Sequence, residues 1–167
     1  MEARKNLKII HCNVRSLISS RRRYELESFL NQHKPDVMMV CETALRYMHI
    51  LNVKNYQIIR KDKNDPGEVG LAIFIAKHLK FSEIPINGLN SLQALGIKLH
   101  LQNGKFLNLA AIYNPRSQNA QNFRNDFNIL TATLQEDPFV IGGDFNARHT
   151  LWGNTVSNTM GNALYNW

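Results

Sequence analysis

The pattern of apolar residues along the chain predicts short strands and two amphipathic helices. Residues 20–34 and 118–135 carry apolar side chains at helical spacing, and Phe123, Phe127 and Leu130 form part of one stripe of the second helix. Short apolar runs bounded by turn residues predict the strands. These runs cover residues 7–14, 37–42, 56–61, 70–76, 94–101, 106–113 and 139–144.

The order of these elements indicates a single α/β domain. A strand, a helix and a second strand follow one another over residues 7–42, which is typical of a crossover between parallel strands whose ends lie side by side. Asn103-Gly104 is a strong hairpin signal between two later strands. No repeat, low-complexity tract or domain boundary interrupts the 167 residues. Beyond Asn146 the chain is loop-like, and residues 162–167 are predicted to begin another helix.

The charge of the chain favours a polyanionic partner. The formal net charge is +7 and the sequence pI is about 9.6. Arginines cluster at Arg21-Arg22-Arg23, where a helix is predicted to begin. Cations oppose the helix dipole at that end, so contact with nucleic acid explains the cluster better than a purely stabilising role. A solubilising surface is the alternative explanation.

The composition makes several other classes of protein less attractive. With 44% hydrophobic and 20% charged residues, the chain is typical of a soluble globular domain. The first residues lack the apolar core of a secretory signal, and residues 71–76 are too few to span a bilayer, so no membrane partner is expected. Two cysteines, Cys12 and Cys41, cannot build a disulfide framework and indicate buried free thiols in a reducing compartment.

The segment from Gly142 to His149 carries the strongest chemical signal. It follows the apolar residues 139–141, which predict a buried strand, so Asp144 and Asn146 would project from one face of the strand end. A carboxylate there can orient or deprotonate water, and an amide can donate to a phosphate oxygen. The glycines allow close approach by backbone or ligand. The same residues also fit an Asx-turn whose polar groups satisfy the backbone.

Polar side chains stand at the ends of four predicted strands. These are Asn13, Glu42, Tyr113 and the pair formed by Asp144 and Asn146. Carboxylate and amide oxygens suit Mg²⁺, which usually keeps several waters and takes further ligands from substrate phosphates. Each residue also has a structural explanation: a turn cap for Asn13, a solvated strand end for Glu42, and an interface aromatic for Tyr113.

Five short motifs occur along the chain in a recognisable order. They are Asn13-Val14-Arg15-Ser16-Leu17, Cys41-Glu42-Thr43, Tyr113-Asn114-Pro115-Arg116, Gly143-Asp144-Phe145-Asn146 and His149-Thr150-Leu151-Trp152-Gly153. Together they resemble the endonuclease/exonuclease/phosphatase superfamily, and most closely the apurinic-like endonuclease domain of non-LTR retrotransposons of the Jockey or R1 type. The resemblance implies an α/β fold, a two-sheet β-sandwich flanked by helices in four α/β/β/α layers.

The same resemblance implies a function and a role for each site residue. The chain would be a Mg²⁺-dependent DNA endonuclease, with Mn²⁺ as an alternative metal, that nicks target sites in the nucleus for retrotransposition. Glu42 would hold the metal, and Asn13 would orient the metal or the phosphate. Asp144 would position or deprotonate the attacking water, while Asn146 and Tyr113 would hydrogen-bond the scissile phosphate. The residues expected to contact nucleic acid are Arg15, Arg21, Arg22, Arg116, Arg148 and His149; Trp152 is expected to be structural.

One departure from the family pattern affects these expectations. The family carries a later Ser-Asp-His motif whose Asp and His complete the site, and no such motif follows Asn146. The domain is therefore expected to lack its final strands, to be incomplete at the C-terminus and to hydrolyse poorly by itself. A sandwich without those strands would expose an edge and apolar surface. A homo-oligomer, or a partner chain that completes the fold, is expected for that reason.

Two other functions remain open at this point. One is a catalytically inactive module derived from a retroelement, which binds nucleic acid or protein; the absent Ser-Asp-His motif favours it. The other is a phosphoesterase for lipid or nucleotide substrates, which would share the site chemistry. The retrotransposon-like segment that begins at His149 and the basic charge count against the phosphoesterase.

Overall fold

The computed structural model describes residues 6–167, in which two four-stranded sheets pack face to face. In spatial order, the first sheet contains β1 (Ile9–Asn13), β2 (Val37–Cys41), β4 (Leu71–Ala76) and β3 (Tyr56–Lys61). The second contains β5 (Lys80–Ile84), β6 (Gln93–His100), β7 (Phe106–Tyr113) and β8 (Phe139–Asp144). The helices are α1 (Ser20–His33), α2 (Ala120–Leu134) and α3 (Thr159–Tyr165). The β1–β2 and β7–β8 pairs are parallel, and the other strand pairs are antiparallel.

Three hydrophobic cores separate four layers. One core lies between the sheets, one lies between the first sheet and α1, and one lies between the second sheet and α2. Representative members are Met39, Ile73 and Leu109 between the sheets, Leu30 and Phe74 beside α1, and Phe123 and Ile112 beside α2. This arrangement confirms the predicted fold class, a two-sheet β-sandwich flanked by helices in α/β/β/α layers.

The local sequence explains where the elements begin and end. Every residue of β2 is buried, because alternate side chains enter the inter-sheet core and the core beside α1; this produces an unbroken apolar run. The Ser19 side chain caps α1 by accepting from the backbone N–H of Arg22. The helix ends at Lys34, which has a φ of 45° and is followed by Pro35.

Two elements differ from the sequence prediction. The edge strand β5 was not predicted, since its sequence Lys-Phe-Ser-Glu-Ile is largely exposed and has too few apolar residues to give a clear strand pattern. Helix α3 begins at Thr159 rather than at residue 162. It starts there because the Asn158 side chain accepts a hydrogen bond from the backbone N–H of Gly161 at 2.7 Å and caps the helix.

The strand predicted at residues 139–141 is present, but the prediction that it is buried is wrong. Strand β8 pairs with β7 on one side only and forms an edge of the second sheet. Phe139 and Val140 are consequently 38% and 41% exposed. An apolar run by itself cannot distinguish a central strand from an edge strand, because the distinction depends on how many neighbours the sheet supplies.

The structure also bears on membrane association and on the N-terminus. Within residues 6–167, no helix has both the length and the apolar character needed to cross a membrane. Residues 1–5, on which the missing secretory signal partly depends, lie outside the described residues.

Candidate active site

The candidate site lies where the carboxyl ends of parallel strands meet. In the first sheet, Asn13 at the end of β1 is level with Cys41 at the end of β2. In the second sheet, Tyr113 at the end of β7 is level with Asp144 at the end of β8. Because the two sheets pack face to face with β1 over β8, these ends meet at one end of the sandwich.

One amide connects two carboxylates at this point. The Asn13 Nδ2 atom donates to Glu42 Oε1 at 2.7 Å and to Asp144 Oδ2 at 3.1 Å. The Asn13 Oδ1 atom accepts from the backbone N–H of Arg15 at 3.2 Å, which fixes the direction of the amide. Three residues that are far apart in the sequence therefore form one connected group, as the strand-end pattern predicted.

The backbone around Glu42 is held in an uncommon conformation. Glu42 has a φ of 59° and Arg15 has a φ of 48°, both in the left-handed region that non-glycine residues seldom adopt. Neighbouring backbone hydrogen bonds hold this geometry: Ser16 N–H donates to Glu42 O at 2.6 Å, and Thr43 N–H donates to Gly70 O at 3.1 Å. Such conformations persist only where the surroundings determine them, and they cluster at functional sites.

Asp144 and Asn146 form the Asx-turn that the sequence allowed, and Asp144 also belongs to the predicted group of site residues. Strand β8 ends at Asp144, and Asn146 has a φ of 47°, so the two are not alternate residues of one strand face. The backbone N–H of Asn146 donates to Asp144 Oδ1 at 3.0 Å, which forms the Asx-turn. The other Asp144 oxygen accepts from Asn13, so the turn aims the carboxylate at the connected group. A side chain on Gly143 would collide with the Ile112 backbone, which explains that glycine.

Tyr113 is placed to act as a hydrogen-bond donor. Burial raises the pKa of its phenol, and the negative charges of Glu42 and Asp144 raise it further, while Arg116 and a hydrogen bond with Asn146 lower it in part. The phenol therefore stays protonated at neutral pH and has a proton to donate. Asn146 is held nearby: its Nδ2 atom donates to Asn114 O at 2.7 Å.

Two of the predicted basic residues border a cavity that opens beside Asp144. The cavity has a volume of about 1000 Å³, and Arg116, Arg148 and Asn158 are among its lining residues. Arg116 Nε donates to Asn146 Oδ1 at 3.1 Å, which directs its guanidinium towards the site. Both arginines therefore lie beside the Asp144 motif.

Asn158 is a site residue that sequence reasoning missed. Its Nδ2 atom donates to Asn146 O at 2.9 Å, and its Oδ1 atom accepts from Arg148 N–H at 2.9 Å. It thereby attaches the start of α3 to the loop that carries Asn146. The only sequence signal is that of an N-cap, an Asn shortly before an apolar helical segment. Gly161 also belongs to this attachment, since a side chain there would collide with the Arg148 carbonyl.

The side chains of the other predicted contacts make no hydrogen bond to the connected group within residues 6–167. Arg21 and Arg22 are exposed on the first turn of α1, where both face Glu25; Arg21 Nε is 2.9 Å from its carboxylate. Arg15 is also exposed, in the loop after β1. His149 has a structural environment, because its ring stacks on Tyr165 at a centroid distance of 4.6 Å and packs at a tilt against Trp152 at 4.8 Å.

The donor set fits a Mg²⁺ ion. Within residues 6–167, no group of three or more His, Cys, Asp or Glu side chains is arranged to hold a metal. Mg²⁺ does not need such a group, since it binds proteins through one or two carboxylates and completes its shell with water and phosphate. Glu42 and Asp144 supply two carboxylates joined by Asn13. Cys41 is unsuited as a ligand, because burial raises the pKa of its thiol to about 12.

Comparison with known proteins agrees with this geometry. A family model described as endonuclease-reverse transcriptase matches residues 107–167. The RNA-directed DNA polymerase from mobile element jockey of Drosophila funebris is 31% identical over 143 residues, which cover 84% of this chain and 15% of that protein. The chain thus spans less than a fifth of this relative's length.

Solved structures share the fold. The endonuclease domain of TRAS1, a telomere-specific non-LTR retrotransposon, superposes with a TM-score of 0.75 at 15% identity, over 96% of this chain and 68% of that chain. The D. rerio TDP2 complexed with single strand DNA product has a TM-score of 0.64 at 19% identity, over 86% and 62% of the two chains. The chain therefore shares the fold of these two proteins. The sequence and fold matches together confirm the resemblance to the endonuclease domain of a Jockey-type non-LTR retrotransposon.

Proposed function

We propose that this domain is a metal-dependent endonuclease that hydrolyses a phosphodiester bond of DNA and nicks target sites for retrotransposition. The observation that carries the proposal is the connected group of Asn13, Glu42 and Asp144 at the meeting strand ends. The half-buried Glu42 carboxylate accepts from one donor in the described part of the chain. Its remaining acceptor positions are available to a metal ion.

Each site residue has a chemical task in this proposal. Glu42 and Asp144 would hold Mg²⁺, or Mn²⁺ as an alternative, and the bound metal would supply Lewis-acid stabilisation of the phosphate charge. Asp144 also orients the attacking water and accepts its proton. Tyr113 donates its phenol proton as a hydrogen bond to a phosphate oxygen, and the adjacent Asn146 loop shapes the phosphate site. Asn13 fixes the distance between the two carboxylates.

The basic side chains supply the sequence-independent attraction to DNA. Arg116 and Arg148 border the cavity beside Asp144, and Arg15, Arg21 and Arg22 are exposed elsewhere on the surface. Contacts of this kind with phosphates release counterions, so binding is expected to weaken steeply with salt. Since DNA is the substrate, we also propose that the protein acts in the nucleus.

The exposed edge of β8 supports the proposal that a second chain covers this side of the sandwich. Phe139 and Val140 lie on that edge, and its outer backbone groups have no strand partner among residues 6–167. A second copy or a partner chain would pair with them. Light scattering of the purified chain tests the homo-oligomer, and a clean monomer mass with cooperative unfolding would contradict it.

The endonuclease proposal is tested by nicking of supercoiled plasmid in the presence of Mg²⁺. The expected result is conversion to open circles that EDTA stops and that Asp144→Ala reduces by about a thousandfold. Asp137→Ala is the matched control, because it removes a carboxylate that precedes the opposite end of β8 and pairs with Lys98 at 2.8 Å. Its nicking rate should equal that of the unchanged protein.

A specific observation favours one alternative, the catalytically inactive binding module. The His149 ring packs against Trp152 and stacks on Tyr165, so these contacts occupy it as part of the local structure and it is not free to assist hydrolysis. An intact plasmid at high protein concentration, together with salt-dependent DNA binding, would replace the endonuclease by this module. Nicking that survives Asp144→Ala would also overturn the proposal, since it would originate from a contaminant.

A further inference from the structure

Three apolar side chains project from the loop that follows β2. Tyr47, Met48 and Ile50 are 81%, 60% and 80% exposed, respectively. Single exposed apolar side chains are common on protein surfaces, but three within four residues are a local concentration of apolar surface. We call these three residues the apolar ridge.

The backbone beneath the ridge is rigidly supported. Arg60 donates to His49 O at 2.7 Å and to Arg46 O at 3.1 Å, and its guanidinium pairs with Asp62 at 2.8 Å. Within the turn, His49 N–H donates to Arg46 O at 2.9 Å, and Arg46 N–H donates to His49 Nδ1 at 2.9 Å. A ridge held in this way loses little conformational entropy on binding, as a preorganised contact surface requires.

Buried residues fix both sides of the ridge in the core beside α1. Leu45 precedes it and is fully buried, and Leu51 follows it at 9% exposure. The ridge therefore does not fold back into the protein, because its neighbours already occupy the core. Exposure of its side chains follows from the fold and is not the effect of a loose loop.

The ridge lies within reach of DNA bound at the candidate active site. Tyr47 follows Glu42 by five residues, which span at most about 17 Å. DNA rises by about 3.4 Å per base pair, so this distance corresponds to about five base pairs. Five base pairs on either side of a phosphate between Glu42 and Asp144 are therefore long enough to extend as far as the ridge.

The surrounding charge indicates which partner the ridge contacts. Arg46 directly precedes the ridge and is exposed, Arg60 donates to the loop backbone, and Lys63 is attached to the loop through its backbone N–H, which donates to Leu45 O at 2.7 Å. Apolar side chains surrounded by cations match a polyanion that also has flat apolar faces. Three side chains are too few for a protein interface, which buries about 800 Å² on each partner.

We infer that the apolar ridge contacts the bases of the DNA substrate, with Tyr47 stacked on a base and Met48 and Ile50 wedged beside it. Aromatic stacking tolerates every base, and apolar wedges enter between base steps that open easily. The ridge would thus favour cleavage next to deformable steps. This inference rests on the proposed function, because it takes DNA as the molecule bound at Glu42 and Asp144.

The test measures binding separately from hydrolysis. The anisotropy of a fluorescein-labelled DNA duplex is titrated with protein in EDTA, over a series of salt concentrations. Tyr47→Ala should weaken binding by about tenfold, the effect of one lost stacked base, and Tyr47→Phe should bind within about twofold of the unchanged protein. The slope of log K against log salt should not change, because stacking releases no counterions. Tyr24→Ala, which removes a 72% exposed tyrosine from α1, is the matched control.

The outcomes separate this inference from the proposed function. Equal binding by Tyr47→Ala and the unchanged protein, or equal weakness of Tyr47→Phe and Tyr47→Ala, overturns the base contact and leaves plasmid nicking unaffected as evidence for the enzyme. Binding that depends on Tyr47 without any nicking in Mg²⁺ supports the base contact and contradicts the enzyme. No binding by the unchanged protein overturns the inference. A dimer that Tyr47→Ala dissociates in light scattering would assign the ridge to a second copy instead.

Discussion

Two carboxylate sites in this domain have different surroundings: the single carboxylate of Asp126, and the pair formed by Glu42 and Asp144. Asp126 on α2 is fully buried and accepts from the backbone N–H groups of Asn90, Ser91 and Leu92 and from the side-chain amides of Asn90 and Gln118. Glu42 and Asp144 are only half-buried and share a single side-chain donor. The Asp126 carboxylate is saturated with hydrogen bonds, whereas the pair of Glu42 and Asp144 keeps acceptor positions open.

This difference separates a carboxylate that holds the structure together from a pair that can still bind a ligand. Asp126 attaches the loop before β6 to α2, and every donor around it belongs to the protein, so no ligand can enter. The pair of Glu42 and Asp144 brings two negative charges together, which is unfavourable unless a cation or a substrate compensates. Partial satisfaction of a carboxylate pair is therefore the feature that marks the active-site candidate, more than the presence of acidic residues.

The largest expected effect is on catalysis. Glu42→Gln should lower the nicking rate by about a hundredfold to a thousandfold, because the amide keeps the hydrogen bond with Asn13 and loses the charge that holds a metal. The free energy of unfolding should change by less than about 1 kcal/mol. Plasmid nicking and urea denaturation measure the two quantities. Glu83→Gln, at an exposed position of β5, is the matched control. Full activity of Glu42→Gln would place the metal elsewhere.

A substitution at the saturated carboxylate, Asp126, should lower stability and leave the nicking rate unchanged. Asp126→Asn places an NH₂ group against N–H donors and should lower the free energy of unfolding by about 3 kcal/mol. The nicking rate of the folded fraction should remain within about twofold. Urea denaturation at about pH 7 provides the measurement. A variant as stable as the unchanged protein would show that the Asp126 charge is not needed to hold the loop.

The difference in unfolding free energy between the unchanged protein and Asp126→Asn should depend on pH. Burial acts to raise the pKa of Asp126, but the hydrogen bonds from Asn90, Leu92 and Ser91 outweigh it, so the pKa lies below its usual range. The stabilisation is therefore complete above the unfolded value of about 3.9 and is lost as the pH falls through the lower folded value. The stability difference between the unchanged protein and Asp126→Asn should shrink on going from about pH 7 to below about pH 3. A constant difference would contradict this origin.

The smallest of these effects is expected at the residue that joins the functional pair. Asn13→Ala leaves both carboxylates in place and removes their common donor, so the nicking rate should fall by about tenfold, less than for Glu42→Gln. Asn31→Ala, at an exposed position of α1, is the matched control. Single-turnover nicking measures the rate. A loss as large as that of Glu42→Gln would instead make Asn13 a direct ligand.

Much of the fold could be predicted from periodicity. The stripe that contains Phe123 and Phe127 faces a core as expected, and Asn103-Gly104 forms the hairpin turn between β6 and β7, both with positive φ. The edge strands could not be predicted in the same way. Strand β5 has too few apolar residues, and the apolar start of β8 suggested burial that the sheet does not provide.

The candidate site was predictable in its composition more than in its geometry. The strand-end positions of Asn13, Glu42 and Asp144 follow from the apolar runs before them, and their convergence follows from parallel pairing. The left-handed backbone at Glu42, and the attachment of Asn158 to Asn146, have no clear sequence signal. Both depend on hydrogen bonds between segments that only the folded chain brings together.

The sequence by itself determined the elements, the basic charge and the residue types at the strand ends, because local periodicity and turn chemistry are properties of neighbouring residues. The tertiary structure alone decided which carboxylates remain open. Asn13 reaches Asp144 across 131 residues, and Asp126 is saturated by a loop 34 to 36 residues away. Whether a charged group is saturated or left available depends on such distant donors, and their positions are set by the packing of the two sheets and α2.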